Sequence, residues 1–335
     1  NHHFFSKCTN NGNVVVKGTA TFTTNNVLGK DDKTTDSHYN IGGLTGYKAA
    51  ANGHIGERVN NGNVIFEATA TSPEGKSPCI QIGGLVGRTH QLIYGTNTQN
   101  GKIIVRGDLS ASTAVLCVGG TAGIIHGVDK SGFTNAGDIH ITGKYGKMYV
   151  GGNVGLNSAY DLAALTNSTN SGSIYIGVNE EGEAVATTLT NGPYIGGNIG
   201  RTDRFFNNLT NSGNIYMKAT VTYADPAAED AENTYLAGCV ALANTADLGD
   251  ACHTLENSGN ITFEGDYGAK ILNIGGCTGY MYGNADTNHS FHNSGDITYN
   301  GTPFKVGIDN HMRLGGISCY LQCTIRDMTN DGNIT

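Results

Sequence analysis

The sequence predicts an all-β chain folded as a right-handed parallel β-solenoid of about eight to nine repeats. Three observations predict it. An Asn-x-Gly motif recurs nine times at intervals of 35 to 50 residues, an apolar residue stands at every second position after it, and a Gly-Gly motif alternates with it. Repeats of this kind indicate stacked units that bury their surface against their neighbours.

The Asn-x-Gly motif predicts a corner. Two residues before its glycine stands an amide, which is Gln99 in the third copy and Asn in the others. In a parallel solenoid, equal positions stack about 4.8 Å apart, so each amide can donate to one neighbour and accept from the other. Asn near Gly also tolerates the left-handed backbone of a sharp corner. The repeats begin near Gly12, Gly62, Gly101, Gly137, Gly172, Gly213, Gly259, Gly295 and Gly332, and the predicted ladder is Asn10, Asn60, Asn135, Asn170, Asn211, Asn257, Asn293 and Asn330.

A strand follows each corner. The residue two after the glycine is Val or Ile in all nine copies, and the residue four after it is mostly apolar. This period of two predicts a β-strand with one face turned inward.

The Gly-Gly motif runs from "IGGLTG" at 41 to "LGGISC" at 314. Paired glycines in an apolar run predict a close approach of two backbones. The next residue often matches in neighbouring repeats, as in Asn153 and Asn198 or Cys239 and Cys277. This likeness is a second indication of stacking.

The two connections between the motifs differ in length. From Gly-Gly to the next Asn-x-Gly the chain runs 16 to 21 residues, whereas the reverse connection runs 15 to 31. The insertions are therefore expected along one edge of the rod, which is often a binding edge. Their sequences, "LGKDDKTTDSH", "SPEGKSP", "NEEGEAVATT" and "DPAAEDAEN", are polar and largely acidic, which favours a solvated edge.

An eight-bladed β-propeller is the alternative architecture, because blades also repeat at about this length. A blade needs four strands, and the sequence places only about three in each repeat. The solenoid is therefore preferred.

Composition excludes several classes of protein. The net charge is −8, and the 20 Lys and Arg residues are scattered, which argues against nucleic acid as a partner. No apolar run approaches the roughly 20 residues that span a bilayer, so no membrane insertion is expected in this segment. The chain lacks an initial Met and stops within a motif, so residues 1–335 are interpreted as one repeat domain within a longer mature protein.

The segments "IGGLTGYKAAANGHIGERVNNGNV" (41–64) and "IGGLVGRTHQLIYGTNTQNGKI" (82–103) resemble the GLUG repeat family. The resemblance implies a secreted or surface-displayed, adhesin-like bacterial segment that is extracellular and β-helical. It implies no catalytic residue. The repeats here are longer than the usual family unit, and "LAGCVA" and "LGGISC" lack some of its glycines.

No cofactor, metal site or catalytic residue is predicted. The eight cysteines show no C-x-x-C spacing, which favours small buried thiols over zinc ligands. Cys239 and Cys277, on successive repeats, are placed where an oxidising compartment would allow a disulfide, although the sequence does not predict one. The eleven histidines keep no spacing typical of a catalytic or metal triad.

The outward positions of the strand after the corner suggest a binding surface. His140, Tyr175 and Tyr216 should lie on adjacent turns, and exposed aromatic rings in a row can stack against sugars. The preferred alternative is cross-strand pairing beneath a covering loop. Val15, Ile65 and Ile104 continue the row, and the long first loops are expected to cover them.

These observations predict a non-enzymatic structural or adhesive segment, a stiff rod or fibre that displays variable loops. Its expected partners are a second copy in head-to-tail contact, or host or matrix glycans or proteins. The alternative is a polysaccharide lyase or hydrolase on a β-helix, which would need acidic and basic groups converging on one face.

Overall fold

The computed structural model describes residues 7–21, 38–48, 57–71, 79–89, 95–110, 114–126, 132–158, 164–222, 233–245, 254–268, 270–283, 290–302, 311–323 and 325–335. Within these ranges the chain forms strands and turns and contains no helix. The insertions at 28–37, 72–78 and 225–232 and the residue Cys252 lie outside the described residues.

The strands form four sheets, and each turn of the chain adds one strand to every sheet. Sheet A contains β1 (Lys7–Asn10), β5 (Glu57–Asn60), β9 (Asn97–Gln99), β13 (Phe133–Asn135), β17 (Ala164–Asn170), β22 (Phe205–Asn211), β27 (Thr254–Asn257), β31 (Ser290–Asn293) and β35 (Asp327–Asn330). Sheet B, which follows the corner, contains β2 (Val14–Thr21), β6 (Val64–Thr71), β10 (Ile103–Asp108), β14 (Ile139–Tyr145), β18 (Ile174–Ile176), β23 (Ile215–Met217), β28 (Ile261–Phe263) and β32 (Ile297–Tyr299), with β19 (Thr188–Leu189) and β24 (Thr220–Val221) beside them.

The other two sheets lie on either side of the Gly-Gly motif. Sheet C contains β3 (His38–Gly42), β7 (Cys79–Gly83), β11 (Val115–Gly119), β15 (Met148–Gly151), β20 (Tyr194–Gly196), β25 (Thr234–Ala237), β29 (Leu272–Gly275) and β33 (Met312–Gly315). Sheet D contains β4 (Thr45–Lys48), β8 (Val86–Thr89), β12 (Ala122–Ile125), β16 (Val154–Asn157), β21 (Ile199–Thr202), β26 (Val240–Thr245), β30 (Thr278–Gly283) and β34 (Ser318–Gln322).

This topology is that of an all-β parallel β-solenoid and confirms that part of the predicted fold. Equivalent positions of successive repeats pair in parallel, as Ile139 does with Ile174 and Ile174 with Ile215. The propeller alternative is wrong, because a blade would pair the strands of one repeat with each other. The expected three strands per repeat are also wrong, since the Gly-Gly motif separates two strands and each turn has four.

The count of eight to nine repeats differs from the number of enclosed turns. Among the described strands, the six turns from β5 to β30 have a neighbour on both sides in all four sheets. The remaining motifs belong to the first turn and to the last strands, which have one open side.

The predicted amide ladder is confirmed, with one break. The side-chain amide of Asn170 donates to Asn211 and that of Asn211 to Asn257, both at 2.7 Å. The ladder continues to Asn330, and a shorter ladder joins Asn10, Asn60 and Gln99. Between Gln99 and Asn135 it is interrupted, since Asn135 Oδ1 is buried and has no hydrogen-bond partner.

The corner glycine has a different role from the one predicted. None of the nine motif glycines has a positive φ, so the expected left-handed corner is wrong. A Cβ on Gly213 would instead lie 2.0 Å from the carbonyl oxygen of Gly172 in the preceding turn. Glycine is required there because two turns stack backbone against backbone.

The Gly-Gly motif does bring backbones together as predicted. A Cβ on Gly197 would lie 1.9 Å from the carbonyl oxygen of Gly238 in the next turn. The residue after the pair also stacks on its like, because Asn153 donates to Asn198 at 2.7 Å. In the same column Cys239 and Cys277 are thiols that donate to backbone carbonyls.

Three apolar clusters lie between the sheets of the described residues. One fills the space between sheets B and C, and a second fills the space between sheets A and D. The third lies where the outer faces of sheets C and D meet, and it contains Tyr149, Tyr194 and Tyr235. These three rings follow one another along the rod, with centroids 5.1 and 5.0 Å apart. At most 7% of each side chain is exposed, so this column belongs to the core.

Candidate binding face

The outer face of sheet B brings together the three residues that the sequence singled out. His140 pairs with Tyr175 and Tyr175 with Tyr216 in the parallel register. The rings of His140 and Tyr175 stack with centroids 4.9 Å apart. The row is not uniformly accessible, because His140 is 5% exposed whereas both tyrosines are half-buried.

A loop that we call the strap, residues 177–187, covers the histidine end of the row. Its positive φ angles at Gly177 and Gly182 allow the chain to reverse, and a bridge between Val178 and Ala184 closes the loop. His140 Nδ1 donates to the carbonyl oxygen of Val178 at 3.2 Å. The insertion "NEEGEAVATT" therefore folds back onto the sheet through Glu180 and Thr187, whereas its tip, residues 181–184, is exposed as expected for a solvated edge.

Ion pairs hold the strap on the sheet. Arg106 contacts the carboxylate of Glu180, and Lys102 Nζ donates to the Glu180 carbonyl at 3.4 Å. Ile104 lies between these two cations on the same strand and is 3% exposed. The strap, which belongs to the fifth turn, thus covers Ile104. Val15 is 49% exposed, and the long first loops that are expected to cover it, at 22–37 and 49–56, lie outside the described residues.

Arg106 also belongs to a column of charged side chains that runs along the face. Glu67 lies 2.7 Å from Lys17 and 2.9 Å from Arg106. The hydrogen bond and charge of Lys17, followed by those of Arg106, hold the pKa of Glu67 below its usual value. Opposite charges on successive turns stabilise the stack, although each exposed pair contributes less than about 1 kcal/mol.

The tyrosine end of the row opens into a depression that begins where the strap ends. Tyr216 donates its phenol hydrogen to the Glu264 carboxylate, and Lys218 Nζ lies 3.9 Å from the same carboxylate. Burial, and then the bond to this carboxylate, raises the pKa of Tyr216 to about 12. The depression has a volume of about 440 Å³ and is lined by Ala184, Val185, Ala186, Thr187, Lys218, Ala219, Thr220, Glu264, Gly265, Asp266, Asn300 and Thr302.

The sequence reasoning missed Lys218, Glu264 and Asp266. A signal for the first two was present, because the fifth residue after each motif glycine forms a column of alternating charge. That column reads Lys17, Glu67, Arg106, Thr142, Gly177, Lys218, Glu264 and Asn300. The sequence prediction covered only the third residue after each motif glycine as an outward position, because the aromatic residues stand there.

The face offers hydrogen-bonding groups and aromatic edges. Within the described part of the chain, no three His, Cys, Asp or Glu side chains are grouped in a way that would hold a metal ion. Among the same residues, no helix is long and apolar enough to cross a membrane.

Comparison with known protein families, with curated proteins and with solved structures finds no match for this chain.

Proposed function

We propose that this chain is a non-enzymatic structural or adhesive segment, a stiff right-handed rod at the cell surface or outside the cell. The resemblance to GLUG repeats and the Gly-rich, weakly charged composition support this placement. The proposed partners are a second copy of the chain or glycans or proteins of a host or matrix.

The amide ladder is the main support for a structural role. From Asn135 to Asn330, each amide is hydrogen-bonded to the next turn at 2.7 to 2.8 Å, within a backbone that is also paired in parallel. Stacked side-chain and backbone bonds both run along the axis, so bending or stretching the rod must break them together. This arrangement suits a spacer that must keep its length.

The outer face of sheet B supports an adhesive role. It presents half-buried tyrosines and a polar depression on a rigid sheet, so a ligand would bind there at little cost in ordering the protein. The ion pair between Arg106 and Glu180 keeps the strap on this face.

Electron microscopy of the purified chain over a concentration series tests the structural part. Rods about 40 Å long or filaments of stacked rods are expected, from about 4.8 Å for each turn. Compact discs would contradict the proposal. Incubation with acidic polysaccharides provides the second test, because release of unsaturated or reducing sugar ends would favour a lyase or hydrolase instead.

A further inference from the structure

The depression beside Tyr216 is open and polar, and it has the volume of a small-molecule site. Its volume of about 440 Å³ falls within the roughly 300–1,000 Å³ of ligand pockets. Small residues, Ala186 and Gly265, leave room over the sheet, and the rim is polar. Such a lining leaves space for a ring that has an apolar face and a polar edge.

The polar rim consists mainly of groups that bind hydroxyls. Glu264 and Asp266 supply carboxylate acceptors, whereas Asn300 supplies both a donor and an acceptor. Asp266 is exposed, and its carboxylate has no hydrogen-bond or ion-pair partner among the described residues. A carboxylate can accept two adjacent hydroxyls at once, which is the geometry that a vicinal diol presents.

The charge of the depression argues against an acidic ligand. Two carboxylates face one ammonium, that of Lys218, which already lies 3.9 Å from Glu264. One negative charge therefore remains, and a carboxylate on the ligand would be repelled. An uncharged polyhydroxy ligand would not be repelled by this negative charge.

From this geometry we propose that the depression binds a neutral hexose unit of a glycan, with Asp266 and Glu264 accepting its hydroxyls. The small floor packs against the C–H face of the ring, and Tyr216 borders the next position along the rod. This site rests on the adhesive form of the proposed function and gives it a ligand class.

Isothermal titration calorimetry with the whole chain tests the site. The neutral probes are cellotetraose, maltotetraose and mannotetraose, and the acidic probe is tetragalacturonate. We expect at least one neutral tetrasaccharide to bind and the acidic one to bind at least tenfold more weakly. Asp266→Asn and Glu264→Gln should each weaken the neutral ligand about tenfold, since a hydrogen bond to a charged acceptor is lost.

Glu67→Gln is the matched control. Glu67 occupies the same column as Glu264 and also pairs with cations, but it lies outside the depression. Binding should be unchanged in this variant. Because Asp266 is exposed, its variant should keep the urea midpoint of the parent.

Two results would overturn the site. If a neutral glycan binds but Asp266→Asn and Glu264→Gln bind it equally well, the site is wrong while the adhesive function stands. If tetragalacturonate binds more tightly, or if no neutral probe binds, the ligand class is wrong. The structural function would then still be tested separately, by the rods expected in electron microscopy.

Discussion

Each interior asparagine of the long ladder makes the same set of contacts. Asn211 donates to Asn257 and to the Gly213 carbonyl and accepts from Asn170. Its side chain is 1% exposed, so water cannot replace a lost partner. Loss of one member would therefore leave buried groups of its two neighbours without a partner.

Asn211→Ala should therefore destabilise the chain by about 3 kcal/mol or more, because the Asn170 amide, the Asn257 oxygen and the Gly213 carbonyl each lose a partner at about 1 to 3 kcal/mol. Urea unfolding measures this change. Asn61→Ala is the control, since Asn61 belongs to an exposed ladder with Asn11 and Asn100. Asn61→Ala should lower the free energy of unfolding by about 0.5 kcal/mol or less. Equal losses in the two variants would refute this account of the ladder.

Gln99 is the residue at which the ladder is broken. Its amide donates to the Gly101 carbonyl at 2.6 Å, and the next acceptor, Asn135 Oδ1, remains unpaired. Gln99→Asn should restore the bond and stabilise the chain by about 1 kcal/mol. The urea midpoint would rise. A lower midpoint would mean that the longer side chain fills space that asparagine leaves empty.

The strap is the element that divides the binding face. It covers His140 and Ile104 and leaves Tyr216 accessible, and its end lines the depression. Ion pairs and a few hydrogen bonds hold it, whereas the strands beneath are held by a complete ladder. Such segments open at a lower free energy than the core.

Acid should loosen the strap. Burial lowers the pKa of His140, opposed by the bond to Val178 and by Asp138 and Glu181, while Lys102 lowers the pKa further. When the strap opens, His140 regains its usual pKa of about 6.5 and binds a proton that the closed form resists. Closure is therefore fully stable above about pH 6.5 and loses stability as the pH falls toward the lowered pKa.

Hydrogen exchange at the Val185 amide, which donates to the Gly177 carbonyl, measures this opening. Its protection factor, corrected for the intrinsic effect of pH, should fall between pH 7.5 and 5. His140→Gln should remove the change. The same dependence in that variant would assign the effect to the strap carboxylates.

At the scale of the whole molecule, the protection of backbone amides from hydrogen exchange should depend on the position of each turn along the rod. The six enclosed turns have neighbours on both sides, whereas Val15 in the first turn and Met328 in the last strand of sheet A are about half exposed. In a stack of this kind each unit is stabilised mainly by its neighbours.

Amide protection should therefore rise from both ends toward the middle of the rod. Hydrogen exchange measured by mass spectrometry should be slowest at the backbone amides in sheets B and C of the fourth and fifth turns. Uniform protection from β1 to β35 would indicate a single cooperative unit and would contradict a nearest-neighbour stack.

Part of the candidate site was predictable from the sequence. The register of His140, Tyr175 and Tyr216 followed from counting residues after each motif, and the structure places them on adjacent turns. Their unequal exposure was not predictable, because a loop between strands can turn outward or fold back with the same polar composition.

The sequence by itself determined the parallel stacking of the turns, the positions of the corners and the amide ladder. Each of these depends on contacts between equal positions of successive repeats, and a repeated sequence states those contacts directly. Only the tertiary structure decided the fourth strand of each turn, the tyrosine core between sheets C and D and the strap over His140. These features join unlike positions, such as Glu180 with Arg106, and no repeated pattern specifies which unlike positions will meet.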